Sequence, residues 1–262
     1  MEHRATLLPI SLSKRYISVN RLVVEHLVAG YGAVTVLRDV SIEVGEGELV
    51  AILGTNGNGK STLLNSILGL VKPSGGRVFL EWDGTTIDLI ARPTHRIVDQ
   101  GIAFVPEGRR VVPMLTVEEN LALAGSGPRA RAGLRDNKLY CFDTFPTLKE
   151  QRNQRSGTLS GGQQQMLAIA CALMTSPKLI VIDEPSVGLA PIIVDKVIRT
   201  IAELRTSRKM TILMAEQSFF QAFDTATRAY VLTHGRITHR FDRAQGGLAF
   251  DNIRDAMLGI TA

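Results

Sequence analysis

The chain has 262 residues, 45% apolar and 21% charged, with a formal net charge of +5. That is the balance of an ordinary globular protein, long enough for one large α/β domain or one domain with a small helical lobe. It excludes a helical membrane protein, because no apolar run approaches the ~18–20 residues needed to cross a bilayer. Residues 1–20 carry Glu2, Pro9 and scattered basic residues and lack the apolar core of a secretory signal, so they are expected to form a poorly ordered extension. Residues 21–28 alternate weakly as a strand, Val34 to Val44 repeats the pattern, and Gly45-Glu46-Gly47 is a turn. Leu49 to Leu53 is a continuous apolar run, the pattern of a strand buried on both faces, and Leu63-Leu64-Asn65-Ser66-Ile67-Leu68 is apolar at helical spacing. Pro73-Ser74-Gly75-Gly76 closes that helix before the strand Arg77 to Leu80.

Thr94 to Gln100 is expected to be a short helix, Gly101 to Val105 a strand and Pro106 to Arg110 a loop. Residues 116–145 are helix-like, broken at Gly125-Ser126-Gly127-Pro128, and Gly161-Gly162 opens a helix through Met174. Lys178 to Ile182 is a buried strand, Pro191 to Arg205 a helix, Met210 to Ala215 a strand and Ser218 to Ala226 a short helix. A hairpin is expected over Ala229 to His239, turning at His234-Gly235, with a terminal helix in 241–262. Alternation of strands and helices predicts a mainly parallel sheet with helices on both sides. Cys141 and Cys171 have no paired-motif spacing, which suits a reducing compartment and a packing role. The basic clusters at Arg109-Arg110, Arg129 to Arg135 and Arg205 to Lys209 read as solvated or nucleotide-facing groups, and no nucleic-acid partner is expected.

Between the first buried strand and its helix lies Gly54-Thr55-Asn56-Gly57-Asn58-Gly59-Lys60-Ser61-Thr62, a full G-x-x-x-x-G-K-S spacing in strand-to-helix context. The glycines let successive backbone N–H groups face a polyphosphate, and the helix adds the positive end of its dipole. Lys60 can reach β- and γ-phosphates and the Ser61 hydroxyl can ligate Mg²⁺, so residues 54–62 are the candidate binding loop for a nucleoside triphosphate such as ATP. A phosphate loop needs an acidic partner on a neighbouring strand. Leu179-Ile180-Val181-Ile182-Asp183-Glu184 supplies two carboxylates after an apolar run. Asp183 is placed to hold Mg²⁺ through water and Glu184 to polarise an attacking water.

Leu159-Ser160-Gly161-Gly162-Gln163 opens the next helix as a second anion-binding end. The three segments in this order resemble the ATP-binding cassette ATPases, from about Arg21 to the end of the chain. The resemblance implies an α/β P-loop fold: a mainly parallel core sheet, an antiparallel β lobe and a helical lobe at about 108–160. It also implies a head-to-tail pair of cassettes. The phosphate loop of one subunit and Ser160, Gly161, Gly162 and Gln163 of the other would close around each ATP. Tyr31 matches the aromatic residue that stacks on adenine, and 186–191 matches the subunit-contact loop.

Three departures from the general pattern point to a subgroup. The Gln that usually senses γ-phosphate and Mg²⁺ is Glu107, the switch His is Gln217, and the Asp of the subunit-contact loop is Ala190. Together with Pro106 to Val111, Gln164 to Ile169 and Gly188-Leu189-Ala190-Pro191, they resemble the LivF-type ATPases of branched-chain amino acid importers. That resemblance implies a peripheral ATPase on the cytoplasmic face of the cell membrane. Its partners would be two permeases, a second cassette (a different chain or another copy) and, indirectly, a periplasmic solute-binding protein. A lipid or lipopolysaccharide exporter ATPase is the alternative, but its relatives usually keep Gln and His. A soluble nucleic-acid or ribosome-acting cassette would carry a long coiled coil or tandem cassettes. A neutral Gln217 lacks the proton handling of imidazole, and Glu107 near phosphates costs energy unless Mg²⁺ or Arg109 offsets it. Slower hydrolysis at the chain's own site is therefore expected.

Overall fold

A computed structural model describes residues 20–217 and 225–245. In chain order, β1 (Arg21–Tyr31) and β2 (Val34–Gly45) form a hairpin, and β3 (Leu49–Leu53) leads through the phosphate loop into α1 (Lys60–Ile67). A second hairpin, β4 (Gly75–Trp82) and β5 (Thr85–Asp88), precedes α2 (Thr94–Asp99) and β6 (Ile102–Val105). Helices α3 (Val117–Ala124), α4 (Pro128–Arg131), α5 (Leu134–Thr144) and α6 (Pro146–Glu150) follow. The chain then runs through α7 (Gly161–Leu173), β7 (Leu179–Asp183), α8 (Pro191–Arg208), β8 (Thr211–Glu216), β9 (Arg228–Thr233) and β10 (Arg236–Asp242).

Two sheets result. One is antiparallel, in the order β2-β1-β4-β5; the other runs β10-β9-β3-β8-β7-β6, parallel except for β10 at its edge. The apolar run of β3 explains why it is central. Leu49, Ala51 and Leu53 pack on the side of α7 and α8, whereas Val50 and Ile52 pack on the side of α1 and the antiparallel sheet. Side chains alternate faces along a strand, so only a strand covered on both sides has use for five apolar residues in a row. Strands β7 and β8 divide in the same way, Ile180 and Ile182 from Leu179 and Val181, and Ile212 and Met214 from Leu213 and Ala215. Each fully buried aliphatic side chain contributes about 1.5–3 kcal/mol, which makes the strand ends rigid platforms for the polar residues that follow them.

The parallel sheet with helices on both faces agrees with the sequence expectation, and three details differ. Strand β5 was not expected, because Thr85-Thr86-Ile87-Asp88 is short, polar and largely exposed. Its signal was the dipeptide Asp83-Gly84, whose two positive φ values (50° and 75°) make the two-residue turn that joins Trp82 to Thr85. Helix α8 runs three residues beyond Arg205. Phe241 and Asp242, assigned to a terminal helix, instead extend β10, paired with Ala229 and Arg228 of β9. The expected helix at 218–226 and the remainder of the terminal one fall mainly outside the described residues. Burial pushes the thiols of Cys141 and Cys171 up to about 12, in keeping with a packing role.

Candidate nucleotide-binding site

The loop after β3 folds as its glycines predict. Gly57 (φ +82°) and Gly59 (φ +101°) take left-handed backbone, and a Cβ on Gly59 would meet Leu37 at 2.8 Å. Gly54 is needed for a different reason, since a Cβ there would lie 2.4 Å from the carbonyl oxygen of Leu232 on β9. Asn58 does not face the cleft. Its Nδ2 donates to Thr55 Oγ1 (2.7 Å) and its Oδ1 accepts the His234 amide (2.8 Å), tying the loop to the β9–β10 turn.

A cleft of about 380 Å³ opens over this loop, with Asn56, Gly57, Gly59, Lys60, Ser61 and Thr62 on one wall and Val36, Glu107 and Glu184 around it. Lys60 is almost fully buried. Its Nζ donates to the carbonyls of Gly54 (2.9 Å) and Thr55 (3.4 Å) and lies 3.0 Å from Glu184 Oε1. Glu184 itself has left-handed backbone (φ 44°), held by its amide donating to the Ala215 carbonyl on β8 (3.0 Å). A non-glycine residue in that region is strained and needs such support.

Asp183 lies at the buried end of β7. Burial pushes its carboxyl up to about 6; the neighbouring Ser61 hydroxyl opposes this, and the charges of Glu184 and Glu107 add to it. Its Oδ1 is buried with no hydrogen-bond partner among the described residues. One hydroxyl, one carboxylate with an unmet acceptor and the phosphate oxygens of a ligand form the all-oxygen set that suits Mg²⁺. Among the described residues no three His, Cys, Asp or Glu converge into an all-protein metal cage.

The other sequence candidates fall into two groups. Glu107 lines the cleft. Tyr31, half exposed at the end of β1, Gln217, exposed at the end of β8, and Ser160 to Gln163 are not among the lining residues. Ser160 and Gln163 instead cap α7 reciprocally, Gln163 Oε1 accepting the Ser160 amide (2.8 Å) and Ser160 Oγ accepting the Gln163 amide (3.3 Å). Arg109 was expected as a possible offset to Glu107, but its Nη2 donates to the carbonyls of Val187 (3.0 Å) and Gly188 (2.7 Å). Among the described residues it forms no ion pair.

Sequence reasoning places Glu216 only in the subgroup-like pair Glu216-Gln217 and gives it no role. It is fully buried, accepts a hydrogen bond from Ser186 Oγ at 2.8 Å, and so joins the last residue of β8 to the loop after β7. Burial pushes its carboxyl up to about 7 against that bond. The visible signal was an acid directly following the apolar run Ile212 to Ala215.

The family model described as ABC transporter matches residues 37–187. The chain is 45% identical over 230 residues to the high-affinity branched-chain amino acid transport ATP-binding protein BraG of Pseudomonas aeruginosa, covering 87% of this chain and 95% of that protein. It is 37% identical to the probable branched-chain amino acid transport ATP-binding protein LivF of Archaeoglobus fulgidus (80% and 86% covered). It is 32% identical to the lipopolysaccharide export system ATP-binding protein LptB of Haemophilus influenzae (82% and 88%). Among solved structures, the ADP conformation of MJ1267, an ATP-binding cassette of an ABC transporter, superposes with a TM-score of 0.78 at 28% identity, covering 92% of this chain and 98% of that one. The dimeric structure of MJ0796, a bacterial ABC transporter cassette, gives 0.72 at 27% identity, covering 84% and 98%.

Proposed function

Because this chain belongs to the ABC transporter family, we propose that it is the ATP-hydrolysing subunit of an importer for branched-chain or related amino acids. The observation that carries the ATPase reading is the buried Lys60–Glu184 pair, 3.0 Å apart beside the glycine loop. The cation that would bind phosphate and the carboxylate that would orient water are held together before nucleotide arrives. The importer reading is supported by the identity to BraG across 87% of this chain.

Residues 21–262 act as one cassette. The amides and glycines of 54–62 hold the phosphates, and Lys60 exchanges Glu184 for β- and γ-phosphate oxygens. Glu184, released, accepts a hydrogen bond from the attacking water and orients it in line with the γ-phosphorus. Ser61 and Asp183 would hold Mg²⁺, with Glu107 near it, and the ion supplies neutralisation of phosphate charge. Gln217 donates a hydrogen bond to γ-phosphate, and Tyr31 offers an aromatic face to the base. Ser160 to Gln163 complete the site of a second cassette, which is another chain or another copy. The complex works on two membrane permeases at the cytoplasmic face of the cell membrane, and a periplasmic solute-binding protein delivers solute to them. Among the described residues no helix is long and apolar enough to cross a membrane, so translocation falls to those permeases.

The test is a tagged pull-down of Glu184→Gln with ATP from detergent-solubilised native membranes, read by mass spectrometry. Two polytopic permeases with a second cassette are the expected catch. Ribosomal or DNA-bound proteins alone would overturn the importer reading.

A further inference from the structure

Arg109 lies two residues beyond Glu107, on the same loop, yet its side chain leaves the cleft. Gly108 (φ +89°) and Arg109 (φ +53°) are consecutive left-handed residues, and they turn the guanidinium towards the loop after β7. There Nη2 donates to the carbonyls of Val187 and Gly188. The guanidinium also needs two glycines. A Cβ on Gly161, the first residue of α7, would fall 2.5 Å from Nη1, and a Cβ on Gly188 would fall 2.8 Å from Nη2. One planar cation thus fits between the start of α7 and the loop 186–190 and is anchored on the loop that lines the nucleotide cleft. A cation near the N-terminal end of a helix is opposed by the helix dipole. Its place there comes from the two carbonyl acceptors and the room left by the glycines.

The geometry points to Arg109 as a positioning residue that carries occupancy of the chain's own cleft to the two segments, 160–163 and 186–190, with which it meets a second cassette. This rests on the reading that Ser160 to Gln163 complete a partner's site. When the loop around Glu107 adjusts to bound nucleotide, the guanidinium moves with it, and both segments follow because their carbonyl and glycine contacts are to the same group. Arg109 touches no reacting atom in this arrangement.

The experiment compares wild type, Arg109→Ala and Arg109→Lys, as isolated full-length chain and in the native transporter complex. ATP affinity of the isolated chain, measured by displacement of trinitrophenyl-ATP, is expected to stay within about twofold, because the phosphate loop is untouched. In the complex, kcat of Arg109→Ala is expected to fall about tenfold or more with little change in KM for ATP, as when a positioning contact is lost. Arg109→Lys, which keeps a cation and N–H donors, recovers most of that loss. Amide exchange in the isolated chain separates this from misfolding: ATP changes exchange over 186–190 in wild type but not in Arg109→Ala, while 179–183 keeps its protection. Unchanged kcat, lost ATP affinity in the isolated chain, no recovery in the lysine variant, or lost protection over 179–183 would each overturn the assignment. Ser160→Arg in the same complex tests the underlying reading by itself. Turnover retained there would remove that reading whatever Arg109→Ala does.

Discussion

Lys60 Nζ and Glu184 Oε1 are 3.0 Å apart, with side chains only 3% and 8% exposed, so the cation proposed to bind phosphate and the carboxylate proposed to orient water neutralise each other. Breaking a buried pair by removing one partner is costly because the other charge is left uncompensated. Lys60→Met is expected to destabilise the nucleotide-free chain by about 3–5 kcal/mol, read by urea denaturation. Lys60→Met/Glu184→Gln should regain most of that. Equal stability of the single and double variants would mean that the pair does not form in solution.

The same pair predicts how nucleotide binds. In the proposed binding mode ATP takes Lys60 away from Glu184, so Glu184→Gln, with no charge to compete, should bind ATP at least as tightly as wild type. Its turnover should fall by about 10²-fold or more, the range expected when a positioned acid–base group is removed. Equilibrium ATP binding and steady-state phosphate release measure the two effects; unaltered turnover would exclude Glu184 as the group that orients water.

Glu107 and Gln217 predict a handicap in hydrolysis. Glu107 lines the cleft and helps raise the Asp183 carboxyl, so its charge opposes both phosphate and ionised Asp183. Glu107→Gln and Gln217→His are each expected to speed single-turnover hydrolysis, by up to about tenfold. Slower hydrolysis in both would show that the chain is built around its present residues.

Asp183 has a carboxyl pushed up to about 6, first by burial. As pH falls through that value the carboxylate gains a proton and loses its capacity to hold a cation. Mg²⁺-dependent ATP affinity should therefore weaken between pH 7 and 5, and in Glu107→Gln the weakening should begin at lower pH. Titration of nucleotide binding with and without Mg²⁺ checks both.

Glu216 predicts the pH dependence of stability. Its folded carboxyl is raised to about 7 by burial, above its ordinary value of 4.5. Between those values the unfolded chain has released the proton and the folded chain keeps it, so stability is full below pH 4.5 and falls as pH rises towards 7. Glu216→Gln, which copies the neutral acid and still accepts the Ser186 hydroxyl, should remove that slope and stabilise the chain at pH 8 by about 3 kcal/mol or less. Thermal unfolding across pH 4.5–8 is the measurement.

The fold and the candidate phosphate loop were legible because their signals are local. Five apolar residues followed by Gly-x-x-Gly-x-Gly-Lys-Ser define a doubly buried strand, a turn that only glycine backbone can make and a helix start, all within twenty residues. Asp183 and Glu184 were legible for the same reason, at the end of Leu179 to Ile182. Strand β5 was less so: its pattern is polar, and only the Asp83-Gly84 turn marked it. What the amino-acid order could not display were contacts between distant segments. Asn58 lies in the phosphate loop, but its partner is the His234 amide, 176 residues away. Arg109 turned from the acid beside it to Val187 and Gly188, 78 and 79 residues on, because two consecutive left-handed residues redirect its side chain. Glu216 meets Ser186 only because β7 and β8 are adjacent and parallel, bringing their C-terminal ends together. Backbone conformation and burial pattern act over a few residues and can be read from order alone; the partners of a polar side chain are set by which strand ends the packed sheet places side by side.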